Sequence, residues 1–261
     1  MLPVIRLLLV ALLLGAVAGA PLPAQAVTGR WTPSPDVTWQ VQLSGRIDLS
    51  VAADAFDLDM FDTTPRQVRA VHARSRRAVC YVNAGAWEDW RPDAASYPAE
   101  TKGRALDGWP GERWLDIRRL DLLAPILTDR IGLCRAKGFD GVEFDNVDGY
   151  SNLTGFELSR ADQASFNRWL AKAAHEHGLA AGLKNALDLA AELEPVFDFA
   201  IVEQCFAFRE CGLTRSFTNA GKPVLDIEYH LARRSFCDSA QELGLTAMRK
   251  RVDLGAWRRT C

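Results

Sequence analysis

The sequence is short of several features that mark common functions. It contains no G-x-G-x-x-G phosphate loop, which counts against a doubly wound dinucleotide-binding sheet. It contains no C-x-x-C pair, and its four histidines are scattered, so a zinc site is not expected. Neither charge sign is in excess: 31 Lys and Arg against 33 Asp and Glu leave a net charge of -2. A nucleic-acid partner, which needs a basic face, is therefore not expected. The long apolar run, residues 7–20, falls short of the ~20 apolar residues of a membrane-spanning helix. Linkers rich in Pro, Gly or Ser, low-complexity blocks and internal repeats are missing, so nothing divides the chain.

What is present begins with a leader pattern. Arg6 precedes the apolar run, and "PLPAQA" ends it on an Ala-x-Ala sequence. This reads as a secretory signal peptide over residues 1–26, cut after Ala26. No cysteine sits near the cut, so a lipid anchor is not expected. The mature chain should be secreted, extracellular, away from the membrane and monomeric. Residues 27–261 suit one domain. Six cysteines follow the cut, and an even number in an exported chain suggests disulfides. Spacing does not choose among the pairings; the expectation adopted is Cys205–Cys211 as a loop staple, Cys237–Cys261 at the C-terminus, and Cys80–Cys134.

Candidate strands lie at 38–45, 55–62, 78–85, 141–148, 179–186, 197–205, 223–229 and 245–251. Helical patterns separate them. The clearest covers 159–177: Ser159 and Asp162 have capping-box spacing, Phe166, Trp169, Leu170, Ala173 and Ala174 repeat helically, and Gly178 suits the stop. Strands interleaved with helices predict an α/β fold with a parallel sheet. Eight of them in this length predict a single-domain (β/α)8 TIM-like barrel, typically ~250 residues. A doubly wound open sheet is the runner-up.

The stretch "GFDGVEFDNVDGY", residues 138–150, carries Asp140, Glu143, Asp145 and Asp148 within an apolar frame. Side chains alternate along a strand, so Val142 and Phe144 should face the helices. Glu143 and Asp145 should then face the barrel interior, with Asp145 nearer the C-terminal mouth, where such barrels hold their chemistry. Ionised carboxylates are costly to bury unpaired, so packing does not explain them. Other strands also end in polar groups: Asp57, Asp59 and Asp62; Glu88 and Asp89; Lys184 and Asn185; Glu203; Asp226, Glu228 and Tyr229. Converging on one mouth, they form a candidate site. "DNVDGYSNLTGFE" does not fit a calcium loop, because Val147 fills a ligand position. Asn152-Leu153-Thr154 is a glycosylation sequon. His175 and His177 should be solvated. No metal or cofactor is expected.

Four segments, "KGFDGVEFDNVDGY", "CYVNAGAWEDWRPD", "GWPGERWLDIR" and "VEQCFAFRECG", together resemble glycoside hydrolase family 114, the endo-α-1,4-polygalactosaminidase family. The resemblance runs from about Trp31 to the C-terminus. It implies a TIM-like barrel, a secreted enzyme and hydrolysis of galactosamine-containing polysaccharide. It puts the catalytic pair on Asp145 and Glu203 and favours a retaining mechanism. The family often has Pro where this chain has Phe144, and Asn where it has Val202. The second departure removes a possible hydrogen-bonding neighbour.

Glycoside cleavage needs two carboxyl groups across the scissile bond, one ionised and one holding a proton. Asp145 suits the nucleophile, with Asn146 as a hydrogen-bond donor. Glu203 suits the acid/base, with Phe206 or Phe208 as apolar neighbours that raise its pKa. Expected substrate contacts are Asp62, Tyr81, Asn83, Trp87, Trp114, Asp116, Glu143, Asn146, Asp148, Tyr150, Lys184, Asn185, Gln204, Asp226, Glu228 and Tyr229. Trp87, Trp90, Trp109 and Trp114 could stack on sugar rings or simply be core aromatics. An acidic mouth would attract a cationic polysaccharide. Two alternatives stay open: a non-catalytic carbohydrate-binding barrel, and a hydrolase of another α-linked polysaccharide.

Overall fold

The computed structural model describes residues 29–261; the expected leader lies outside them. Strands β1 (Trp39–Gln42), β2 (Ala55–Asp59) and β3 (Arg77–Asn83) open the sheet. A small antiparallel sheet follows, made of β4 (Ala86–Glu88), β5 (Lys102–Ala105) and β6 (Glu112–Leu115) in the order β4-β6-β5. The main sheet resumes with β7 (Gly141–Asp145), β8 (Ala180–Lys184), β9 (Phe199–Glu203), β10 (Val224–Glu228) and β11 (Leu245–Lys250). These strands pair in parallel in chain order, and β12 (Arg258–Thr260) adds antiparallel to β11. All eight sequence-expected strands are thus present, as a nearly closed barrel. The small sheet and β12 were not anticipated.

Closure relies on side chains. Trp39 Nε1 donates to the Thr246 carbonyl at 3.1 Å, and Lys250 Nζ donates to the Val41 carbonyl at 2.7 Å. The Arg258 guanidinium donates to the Trp39 carbonyl. The end of the sheet is therefore stitched to its start across the gap.

Helices α1 (Pro65–His72), α2 (Leu120–Lys137), α3 (Arg160–Glu176), α4 (Ala190–Leu193), α5 (Cys205–Phe208), α6 (Arg215–Asn219) and α7 (Cys237–Leu243) surround the barrel. The Ser159/Asp162 capping box forms with both arms, satisfying two free N–H groups at the start of α3. Gly178, at φ 69°, follows its end and takes the left-handed turn that glycine allows. His175 is not simply solvated: its Nε2 lies 2.8 Å from Asp198.

Alternation sorts the strand residues into two cores. Phe56, Leu58, Val82, Val142, Phe144, Leu183 and Val202 face the helices. Trp39, Val41, Val79, Phe199, Ile201, Leu225, Ile227 and Met248 fill the lower barrel. Gly182 makes room for the plug, because a Cβ there would lie 2.4 Å from the Phe199 ring. The plug is apolar at the bottom and gives way to charged side chains at the strand C-termini. The three expected disulfides are all formed: Cys80–Cys134, Cys205–Cys211 and Cys237–Cys261. Among the described residues, no helix is long and apolar enough to cross a membrane.

Candidate active site

Three adjacent strands end in the same way. Each places a charged residue last, then turns through a left-handed residue. Asp145 is followed by Asn146 at φ 59°, Lys184 by Asn185 at φ 48°, and Glu203 by Gln204 at φ 59°. Positive φ is uncommon without glycine, though asparagine tolerates it. The turns halt the strands abruptly and leave the charged side chains at the mouth. Register sets their heights: Phe144 pairs with Leu183, and Lys184 pairs with Ile201. Asp145 and Lys184 are therefore level, and Glu203 stands two residues higher.

Lys184 ties the group together. Its Nζ is 2.9 Å from Glu143 Oε1, 3.3 Å from Asp145 Oδ1 and 3.8 Å from Glu203 Oε2. The last two distances bound the gap between those oxygens at about 7 Å, within reach of two-carboxylate glycoside chemistry. Tyr81 Oη donates to Asp145 Oδ2 at 2.7 Å, and Tyr229 Oη donates to Glu203 Oε1. Asn185 Oδ1 accepts from the Glu203 backbone N–H at 3.0 Å.

The surroundings push the two carboxyls apart. Burial opposes the Asp145 charge, but Lys184, the Tyr81 hydroxyl and the Asn146 backbone outweigh it, so its pKa lies below the usual range. Burial raises Glu203, and the Asp145 charge adds to that against the pull of Lys184. Lys184 itself is buried, yet Asp145, Glu143 and Glu203 hold its pKa well above that of an ordinary lysine. One layer below, Asp57 lies beside Glu143, and its two oxygens have no hydrogen-bond partner among the described residues. Burial first, then the Glu143 charge, holds Asp57 well above the usual carboxylate range. The layer beneath the mouth therefore disfavours a further negative charge.

A cleft of about 1100 Å³ opens over this group, at or above the top of the range for drug-sized ligands. Asp62, Tyr81, Trp114, Asp145, Asn146, Asp148, Lys184, Asn185, Glu203, Gln204 and Tyr229 line it. Burial, with Asp145 nearby, raises Asp148 to about 6.

Other expected contacts lie elsewhere. Glu143 sits under Lys184. Asn83 is buried and bridges Glu112 and Asn146, with its Nδ2 donating to Glu112 at 2.9 Å. Trp87 donates to the Ala94 carbonyl and carries Lys102 on its ring. Asp116 is held by both arms of Arg118. The Tyr150 hydroxyl donates to Asp188. Asp226 and Glu228 alternate with Ile227, which faces the interior, so both point outward. Glu228 accepts the Phe206 N–H at 2.8 Å and Asp226 is packed at Cys205. Two proposed supporting roles also change. The Asn146 amide donates to Asn83, so Asn146 serves Asp145 through its backbone. Phe208 is exposed, and burial together with Asp145, rather than that ring, raises Glu203.

The small sheet and its turns supply Arg91 and Glu112, which the sequence did not single out, beside Glu88, Trp90 and Trp109, which it had named as a polar strand end and as possible stacking rings. Glu88, Arg91 and Glu112 line one wall, with Trp90 and Trp109 at its rim, each about half exposed. Arg91 grips Asp59 through two bonds, at 3.0 and 2.7 Å. Their motif segments, "AWEDW" and "GWPGERW", were visible, but their meeting depends on strand pairing. Among the described residues, no group of three or more His, Cys, Asp or Glu side chains is placed to hold a metal ion.

The sequence matches the model of glycoside-hydrolase family GH114 over residues 20–261. Among solved structures, Aspergillus fumigatus Ega3 in complex with galactosamine is 34% identical, with a TM-score of 0.85, covering 91% of this chain and 100% of that one. The glycoside hydrolase domain of PelA from Pseudomonas aeruginosa is 16% identical, with a TM-score of 0.67, covering 85% of this chain and 98% of that one. An α-galactosidase from Thermus thermophilus is 12% identical, with a TM-score of 0.53, covering 84% of this chain and 59% of that one. At these identities the last two speak for the barrel alone. No curated protein matches.

Proposed function

This chain belongs to glycoside-hydrolase family GH114, and from that premise we propose that it hydrolyses a galactosamine-containing polysaccharide, with Asp145 as nucleophile and Glu203 as acid and base. The observation that carries this reading is the opposed pull on two carboxyls around one lysine. Lys184 and Tyr81 pull the Asp145 carboxyl below its usual range and so favour its charge, while burial pushes Glu203 up and so favours its proton. Glu203 protonates the glycosidic oxygen as Asp145 attacks the anomeric carbon, giving a covalent glycosyl-enzyme. Glu203 then takes a proton from water, which displaces the sugar from Asp145. The upper limit of about 7 Å between these oxygens admits the ~5–5.5 Å spacing of retaining pairs and excludes most of the ~6.5–9.5 Å range of inverting ones, which supports retention. The galactosamine in the Ega3 complex supports the sugar class. The three disulfides suit an oxidising compartment, which supports export by the leader at residues 1–26.

Assay on deacetylated polygalactosamine tests the proposal. The wild-type chain should release oligosaccharides that first appear with the anomeric configuration of the substrate by NMR. Asp145→Asn and Glu203→Gln should each lose on the order of 100-fold or more. Binding of the polymer without product would instead support a carbohydrate-binding barrel, and cleavage of other α-linked glycans alone would change the sugar.

A further inference from the structure

We propose that Glu112, supported by Glu88, is a specificity-determining residue that binds the free amine of an amino sugar beside the cleavage point. This rests on the galactosamine reading above. Glu88 and Glu112 are direct cross-strand partners in the β4–β6 pair, where like charges oppose pairing. Both are largely buried, at 2% and 7% exposure, and both line the cleft. The fold supplies too little positive charge for them. Arg91 reaches Glu88 at 2.8 Å but also serves Asp59. Arg130 gives its close contacts to Asp93 and to the Asn83 carbonyl and stands 3.8 Å from Glu88 Oε2, an atom with no hydrogen-bond partner among the described residues. Glu112 has one neutral partner, the Asn83 amide.

The wall is therefore left with unmatched carboxyl groups on its cleft side. A sugar ammonium fits the gap, because it brings one charge and three donors. A metal fits poorly, since among the described residues no third ligating side chain is placed there. Trp114 shares the strand face of Glu112 two residues on and also lines the cleft, offering an apolar surface to the ring. Asn83 links the pair to the reaction centre, accepting from the amide of Asn146 at 3.0 Å. The groups facing Glu112 are Glu88 and Arg91 from β4 and its turn, Asn83 from β3, and Asp145 from β7. Burial and Glu88 raise the Glu112 carboxyl to about 7. An ammonium beside it would displace that proton.

Calorimetry with a short galactosamine oligosaccharide and its N-acetylated form tests this, using the Glu203→Gln chain so that turnover does not intrude. The amine form should bind best near neutral pH, weakening on the acid side as Glu112 gains a proton. Adding Glu112→Gln should weaken it at least tenfold at neutral pH, flatten that acid side and leave the N-acetylated form little changed. Gln keeps an acceptor for Asn83, so the melting temperature should hold, and Glu112→Asp should restore part of the affinity. Unchanged affinity of the Glu112→Gln chain for the amine form would overturn the assignment. Hydrolysis by the wild-type chain decides the galactosamine reading separately.

Discussion

Replacing Lys184 with methionine keeps a side chain of similar reach and removes its charge. At an effective dielectric of ~20, a unit pair at the 3.3 Å separation from Asp145 is worth about 5 kcal/mol. That figure is not the net loss, because desolvating the ammonium already costs several kcal/mol. The variant has two courses. It can keep Asp145 ionised without its counter-charge, at ~3–5 kcal/mol, or it can bind a proton. The second course removes the nucleophile whenever the proton sits on Asp145. Lys184 lowers the pKa of Asp145 and pulls that of Glu203 down as well. Without it, burial is left to act on both, and both rise. The pH profile of kcat/KM should therefore move to higher pH on both limbs. At pH 5 the loss should be on the order of 100-fold, equivalent to ~2.7 kcal/mol, and it should narrow as pH rises. Lys184→Arg, which keeps the charge, should retain much of the profile. A folded Lys184→Met chain whose activity falls equally at every pH would refute the reasoning and make Lys184 a substrate contact.

Asp226 offers a stability test, because burial and Glu228 raise it to about 8. The folded state then binds more protons than the unfolded state between the unfolded pKa and about 8, so stability falls as pH rises through that window. Asp226→Asn should flatten that decline and raise the melting temperature at pH 8 relative to wild type; a decline of equal slope would count against it. Gly85→Ala would put a Cβ 1.7 Å from the Asn146 carbonyl oxygen, forcing the loop beyond Asp145 to shift. It should cost about 3 kcal/mol in urea unfolding and depress kcat. Removing Cys80–Cys134, with a sequence separation of 54, should cost about 4 kcal/mol by chain entropy, against about 2 kcal/mol for Cys205–Cys211, separated by 6. Denaturant midpoints of the two double-alanine variants should rank in that order.

Much of the barrel was legible because strand identity and facing are local. Val142 and Phe144 alternate with Glu143 and Asp145, and that pattern alone sent two carboxylates inward. The same rule, counted on β10 from Ile227, would have sent Asp226 and Glu228 outward; their acidity drew attention away from their parity. Ser159 and Asp162 are three residues apart, so their cap could be read directly. Glu88 and Glu112 are 24 residues apart and meet only because β4 and β6 are brief strands that pair. Three or four residues, as in β4 and β6, are too few for a periodic signal to mark a strand.

Sequence by itself determined the strand positions, the inward facing of Glu143 and Asp145, and a set of cysteines able to pair. Only the tertiary structure decided which charges meet. Lys184 acquires three carboxylate neighbours, Asp57 is pushed up by burial beside Glu143, and Glu112 faces Glu88 with little counter-charge. Side-chain direction follows from nearest neighbours along the chain, whereas the field at a carboxyl is summed over burial and distant charges, and these exist only once the barrel has closed.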